Sequence, residues 1–407
     1  MTRAFLRFWA ADTVSLVGTH ITTLALAVLA MDDLAASEFE VGLLRAAPWV
    51  PYLLFGLLAG VVVDRYRRWP ILVGADLARF VVLGLVPVLH AVGALTLPVL
   101  FALVTVFGAL SLMYDAAHQS FLPKLVPATW LATANARMEQ TRATAQTAGP
   151  TLAGWLITAV GAPLAILVDA VSYLASGLVL TTLRVEEQVV PPERRNLRRE
   201  LREGLAWVYR HPVLRPLAVT SHMWFLFAGL AATVFLVFGY DVLGFSPFEL
   251  GIAFAVGGLG TVVGASLSTR LAVLLGGPGR VIVLGRWSTP VAYALVPFAD
   301  STVTGLVLLS AAQLVWGFGV GADSPPEMAY RQAITPDHLQ GRMNATIRSL
   351  NRAMIVVGAP LGGLLAGLFD HRTALWIAVA GLVAQAVLIT RVRGVREMKA
   401  LPDAPAA

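Results

Sequence analysis

The sequence contains no cysteine, and only 13% of its 407 residues carry a charge. The first absence excludes a disulfide framework, thiolate metal sites and cysteine nucleophiles, and leaves the redox compartment open. The second excludes a water-soluble chain, because 57% of the residues are apolar and little polar surface remains to clothe soluble domains. Lysine is also scarce, since 28 of the 30 basic residues are arginine, a usage that together with abundant alanine and glycine fits a GC-rich bacterial genome. The seven histidines (20, 90, 118, 211, 222, 338 and 371) lack metal-ligand spacing, and no GxSxG, HExxH or P-loop sequence occurs. No metal, cofactor or enzyme chemistry is therefore expected. A mean hydropathy of +0.74 excludes disorder.

What fills the chain instead is apolar segments of about 20 residues, the length a helix needs to cross the hydrocarbon. Twelve are expected, at roughly 5–31, 39–63, 70–92, 97–118, 130–159, 162–183, 213–240, 247–271, 280–299, 303–324, 339–368 and 373–393. Arg3 and Arg7 ahead of the run Ile21 to Ala30 mimic a signal peptide, but further spans follow, so this segment reads as an uncleaved first span. With both termini cytoplasmic, the inner connections hold 23 basic residues, Arg270, Arg280, Arg286, Arg331 and Arg342 among them, and the outer ones only Arg372. The pI near 10 is thus topological and does not call for nucleic acid.

The longest connection divides six spans from six. The expected divisions are an N-terminal bundle at 1–183, a cytoplasmic linker at 184–212, a C-terminal bundle at 213–393 and a cytoplasmic tail at 394–407. In the linker Leu197, Leu201, Leu205 and Val208 share one helical face and the arginines another, which predicts an amphipathic helix along the inner membrane surface. Tether and regulatory site both remain open for it. A shift of 209 residues superimposes Glu40 on Glu249, Gly42 on Gly251, Asn135 on Asn344, Gly149 on Gly358 and Gly154 on Gly363. Since six is even, both halves enter the membrane from the same side, giving a parallel repeat of two pseudo-symmetric six-helix bundles. The fold class is all-α and polytopic.

Gly60-Val-Val-Val-Asp64-Arg65-Tyr-Arg67-Arg68, between spans two and three, resembles the signature loop G-x-x-x-D-R-x-G-R-R of the major facilitator superfamily, with Arg67 where the second glycine is expected. Ala145-Gln-Thr-Ala-Gly149-Pro150-Thr-Leu-Ala153-Gly154 in span five is similar to the antiporter motif G-x-x-x-G-P-x-x-G-G. Leu122-Pro123-Lys124-Leu125-Val126-Pro127 and Gly341-Arg342-Met-Asn344-Ala345 resemble in particular its macrolide-efflux and enterobactin-exporter-like branch. The resemblance covers essentially the whole chain and implies the twelve-helix major facilitator fold. It lacks the span-four arginine that many drug and proton antiporters carry, so their proton relay does not transfer unaltered.

The resemblance brings spans two and eleven together, so Asp64 is expected to meet the start of span eleven. There Asp337 and Gln340 form a D-x-x-Q capping pattern, and Arg342 and Arg348 follow. Arg65, Arg67 and Arg68 would stay with lipid phosphate and water; a positive-inside loop alone explains these arginines but not Gly60 and Asp64. Gly149, Pro150 and Gly154 permit close helix approach and bending, whether for packing or for rocking. Gly258 to Gly260 and Gly317 to Gly321 lie inside apolar spans and have no strand-to-helix context for a nucleotide loop.

Charges inside spans are costly, about 3 kcal/mol or more at mid-helix, and need a reason. Asp76 has Arg79 one turn away, and Glu139 has Arg142 likewise. Asp115 sits beside His118, and Asp169 lies in span six, where a structural role is expected. Asp12 has no basic residue three or four positions away, and lies deep enough in span one for desolvation to favour its protonated form. It is the first candidate for a coupling proton, with Glu139 next; a structural ion pair with Arg142 or another arginine is the alternative.

These features predict a secondary transporter that exports amphipathic or lipophilic small molecules by alternating access, with the proton as coupling ion and membrane lipid as its surroundings, in the inner (plasma) membrane and as a monomer. Trp9, Met113, Trp224, Phe227 and Trp316 are candidates for lining a substrate cavity, though a packing or interface role is the more ordinary one for each. Rivals are siderophore export or lysophospholipid movement on the same fold, and a transport-dead membrane sensor.

Overall fold

The computed structural model describes residues 2–183 and 197–399, apart from the side chains of residues 57–62, 64, 65, 120, 128, 132, 197 and 198. Among the described residues there is no strand. The helices are α1 (Arg3–Asp32), α2 (Glu38–Ala46), α3 (Val50–Arg65), α4 (Arg68–Ala91), α5 (Leu97–Leu125), α6 (Leu131–Val160), α7 (Ala162–Thr181) and α8 (Leu197–Arg210). They continue with α9 (Leu214–Val237), α10 (Pro247–Leu275), α11 (Pro278–Leu295), α12 (Val303–Ala333), α13 (Asp337–Leu368), α14 (His371–Arg391) and the short α15 (Arg393–Arg396).

Local signals set the ends. Thr2 caps α1 by accepting from the Phe5 amide, and Asp370 caps α14 by accepting from the Thr373 amide. Gly161 takes φ 81°, a backbone that an L side chain resists, and so stops α6 one residue before α7 begins. The expected D-x-x-Q cap does not form. Pro336 is the cap residue of α13, and the Gln340 amide instead donates to the carbonyls of Gln332 and Thr335, finishing α12.

Among the described residues ten helices are long and apolar enough to cross a membrane: α1, α4, the Leu97–Gln119 part of α5, α7, and α9 to α14. The chain is a multi-pass membrane protein. Two of the twelve expected spans depart from that standard. The span expected at 39–63 is broken into α2 and α3 by the 3-10 turn Ala47–Trp49, where Pro48 cannot donate to a continuous helix. The span expected at 130–159 is one 30-residue helix, α6, but Arg137, Glu139, Gln140 and Arg142 make its first half polar.

The chain divides into two compact units. Unit one comprises Met1–Ser37, Leu43–Arg194 and Ser246–Gly251; unit two comprises Glu38–Gly42, Arg195–Phe245 and Ile252–Ala407. In unit one α7 packs on α1 and α4, α1 on α6, and α5 on α3 and α4. Phe5, Phe8, Leu72, Phe121, Leu125 and Leu180 form a core at one end of it. In unit two α12 lies along α11, and α9 packs on α13 and α14.

Candidate functional site

Each unit holds a buried polar cluster. In unit one, Asp76 of α4 is fully buried and pairs with Arg79 one turn on, as the spacing predicted. The Ser176 hydroxyl of α7 donates to its second oxygen at 2.6 Å. The Arg79 guanidinium lies over the rings of Tyr114 and Tyr173, at 4.0 and 4.4 Å from their centroids, so two aromatic faces share its charge. The Arg79 Nε is buried without a hydrogen-bond partner, and near this pair stands Asp12. It is 9% exposed, and its Oδ1 lies 2.9 Å from Nε2 of His118, off the hydrogen-bonding axis. Its Oδ2 and the Tyr114 hydroxyl are both buried without a hydrogen-bond partner. The His118 ring stacks on Phe8 at 4.9 Å, which fixes its plane.

The arginine partner considered for Asp12 is therefore replaced by a histidine 106 residues away, which no local spacing rule reaches. Asp115, three residues before His118, accepts the Tyr52 hydroxyl at 2.6 Å. Asp169 is fully buried and accepts from the hydroxyls of Thr22 and Ser172; Gly18 leaves room for it, since a side chain there would collide with its carboxyl group. Glu139 keeps Arg142 at 3.7 Å but is 72% exposed, so it lacks the desolvation that distinguishes Asp12.

Unit two carries a quartet that the sequence reading missed. Arg286 of α11 and Arg331 of α12, both counted above among inner-side loop charges, are buried inside helices. They converge on Glu327 of α12, with Arg286 Nη2 at 2.5 Å from Oε2 and Arg331 Nη2 on Oε1. Asp323, one turn before Glu327, completes the group. The span expected to end at 324 instead runs to Ala333, with Pro325 and Pro326 accommodated inside it. The available signal was the spacing Asp323, Glu327, Arg331, which puts all three on one helical face.

The two clusters sit at equivalent places in the repeat. A shift of 209 carries Tyr114 to Asp323, His118 to Glu327 and Ser176 to Gln385, and a shift of 210 carries Asp76 to Arg286. Gln385 of α14 donates to the Arg286 carbonyl at 3.2 Å, as Ser176 of α7 donates to Asp76.

The repeat glycines are close-approach points. A side chain at Gly154 would meet the Pro247 carbonyl, one at Gly251 the Pro150 carbonyl, one at Gly42 the Ala359 carbonyl and one at Gly363 the Glu38 carbonyl, each pair lying within a single unit. Gly149 faces the His20 ring, and Gly260, Gly317 and Gly321 mark where α10 crosses α12.

The geometry is that of a helical multi-pass membrane protein, and similarity to known proteins gives its family. The family model described as transmembrane secretion effector, of the major facilitator type, matches residues 1–407. The chain belongs to this major facilitator family. The multidrug efflux pump Tap of Mycolicibacterium fortuitum is 28% identical over 396 residues, covering 92% of this chain and 93% of the pump. Macrolide efflux protein A of Streptococcus pyogenes is 21% identical over 407 residues, covering 97% of each. Among solved structures, a point mutant of the nucleoside transporter NupG superposes with a TM-score of 0.80 at 12% identity, over 96% of this chain and all of that one. A bacterial homologue of the iron transporter ferroportin gives 0.73 at 16%, over 96% and 98%. At such identities the structures establish the major facilitator fold.

In this transporter the signature loop joins α3 to α4. Gly60, Asp64 and Arg65 are helical, their side chains lie outside the described residues, and Arg68 opens α4. Arg342 near the start of α13 is held by Glu203 and Glu200 of α8, and Arg348 is exposed. The Glu203 carboxyl is held below the usual carboxylate range, first by the Arg199 side chain, 2.7 Å away, and also by the charge of Arg342. Gly204 lets α8 approach the Arg342 backbone, and the Trp207 indole donates to Thr335 at 3.2 Å. The apolar face expected for this helix is therefore split: Val208 is buried, while Leu201 is 41% exposed.

The cavity candidates fall in both units. Trp9 donates to Thr141 at 2.8 Å, Met113 packs beside the unit-one core, and Trp224 donates to Thr289 at 3.0 Å. Phe227 abuts Gly381, and the Trp316 indole N–H is buried without a partner.

Proposed function

We propose that this major facilitator protein is a proton-coupled secondary exporter of amphipathic or lipophilic small molecules, working by alternating access in the inner (plasma) membrane with both termini cytoplasmic. The observation that carries the proton reading is the Asp12 and His118 pair, buried beside a cation already spent on another carboxylate. With Arg79 neutralised by Asp76, one proton shared between Asp12 and His118 brings the unit-one cluster to zero net charge. An unloaded carrier would then reorient without a bare charge, and loss of the proton would restore a carboxylate able to attract a cationic or polar substrate group. The substrate reading is supported by the relatives described as multidrug and macrolide efflux proteins, and by the aromatic side chains Trp9, Trp224, Phe227 and Trp316. Glu139 remains second to Asp12, and Gly60, Asp64, Arg65, Arg68, Arg342 and Arg348 remain the proposed gate and signature-loop residues.

Expression in an efflux-deficient host against a compound panel, with and without a protonophore, tests export and its energy source. Reconstituted Asp12→Asn protein tests the coupling. The expected result is normal folded yield, loss of transport driven by a pH gradient and retention of substrate exchange. Asp12→Asn protein that still concentrates substrate under an imposed pH gradient would remove Asp12 from the mechanism.

A further inference from the structure

The two sides of α8 differ in chemistry. Its acidic residues turn toward unit two: Glu203 and Glu200 hold Arg342 of α13, and Glu203 also takes the Arg199 side chain at 2.7 Å. On the same side Gly204 lies against the Arg342 backbone, Trp207 donates to Thr335, and Val208 is buried with Leu214, Met343 and Ile347. No carboxylate of α8 is left for the other side.

That other side carries two parallel rows, each stepping by four residues. One is Leu201, Leu205 and Tyr209, and the other is Arg202, Ala206 and Arg210. Among the described residues these six line a concavity of about 570 Å³. Arg202 and Arg210 are exposed, and neither has a hydrogen bond or ion pair to a described residue. They stand about 12 Å apart along the helix axis, and the small Ala206 midway keeps the space between them clear. An anion over Ala206 is within reach of both.

Tyr209 fixes the floor of this concavity. Its hydroxyl lies 2.8 Å from Nε2 of His222 on α9, and Nδ1 of the same ring lies 2.7 Å from Oδ1 of Asn351 on α13. An amide oxygen only accepts, so in the neutral ring Nδ1 carries the proton and the Tyr209 hydroxyl donates to Nε2. Only residues 211–213 separate α8 from α9, a membrane-crossing helix, which places the two rows close to the level of lipid headgroups.

We propose that the exposed face of α8 binds one anionic phospholipid, its phosphate over Ala206 between Arg202 and Arg210 and an acyl chain along Leu201, Leu205 and Tyr209. The side-by-side rows ask for a ligand with an anion next to hydrocarbon, and two arginines without acidic partners select net negative charge over a zwitterionic headgroup. The site goes beyond the exporter reading and does not depend on it.

Native mass spectrometry of the full-length purified protein, with phosphatidylglycerol and phosphatidylcholine supplied in equal amounts, tests the selectivity. One phosphatidylglycerol should be retained in preference, and Arg202→Gln/Arg210→Gln should weaken that retention roughly tenfold or more, since each arginine near anionic lipid is worth about a factor of five. Arg391→Gln/Arg393→Gln removes the same charge from exposed positions at the end of α14 and should leave retention nearly unchanged. In nanodiscs, phosphatidylglycerol with a photoreactive acyl chain should label residues 201–210 of the wild type and not of Arg202→Gln/Arg210→Gln. Equal retention of the two lipids, equal loss in both double variants, or photolabel confined to other segments would overturn the proposal. So would a photoreactive group on Leu205→Cys, the sole cysteine in that variant, that joins α8 to residues 184–196 or to a second copy of the chain instead of to lipid. Failure of the export assay with lipid retention intact would refute the exporter reading alone.

Discussion

The two units solve the same problem, burying charge between helices, with opposite inventories. In unit one a carboxylate, Asp76, is matched by one arginine whose charge is spread over two tyrosine rings, and a second carboxylate is answered only by His118. In unit two one carboxylate, Glu327, consumes two arginines. What the repeat retains is the position of the polar group: Asp76 becomes Arg286, His118 becomes Glu327 and Tyr114 becomes Asp323. Polar character at a helix crossing has outlasted the sign of the charge, because any satisfied cluster there is tolerable and any unsatisfied one is costly.

The largest effects should come from removing the carboxylate each cluster is built on. Glu327→Ala strands two buried arginines and should cost at least about 3–5 kcal/mol, seen as lost folded yield or a lowered midpoint of thermal unfolding in detergent. Asp76→Ala strands only Arg79, which keeps its two aromatic faces, so the loss should be smaller; equal losses would mean that the rings contribute nothing. Next comes the weaker pair. His118→Leu leaves the Asp12 carboxylate buried without its neighbour and should cost about 1–3 kcal/mol, whereas Asp12→Asn puts an uncharged amide of the same shape in its place and the protein should be near wild-type stability.

Packing around the clusters differs in the same direction. A methyl group at Gly285 would overlap the Asp323 side chain and the Gly319 carbonyl, and Gly285→Ala should destabilise by about 1–3 kcal/mol. At Gly177 the nearest atoms are the flexible end of Leu77 at 3.0 Å and Asp76 Cβ at 3.4 Å, so Gly177→Ala should be nearly neutral in the same assay. The smallest effect concerns α8 alone. The Glu203 carboxyl is depressed, so its contact with Arg342 is complete above the ordinary carboxylate range and is lost as pH falls through that lowered value. Proteolytic cleavage within α8 should increase on acidification, and Arg342→Ala should blunt that increase.

Most of the fold was legible because its signals are local. Apolar runs place α1, α13 and α14 within about two residues of their observed ends, and the repeat glycines were visible as a register. Span two was misread as continuous because one Ala-Pro-Trp turn does not lower hydropathy enough to show. The clusters were half legible. Asp76 and Arg79 lie one turn apart, but Asp12 and His118 meet only because α1 and α5 are brought together in space. Arg286 was counted with loop charges because a charge near the end of an apolar run looks topological until its partners on α12 are known.

The docking of α8 bears on where this protein can be cut. A split for co-expressed halves placed at residue 213 would leave Arg342 and Thr335 on a fragment that has lost Glu203 and Trp207. A split placed before Leu197 keeps both pairs on the same polypeptide. For fragment complementation, tag insertion or domain grafting, the second half therefore begins at α8, and the helix travels with it as its own first element.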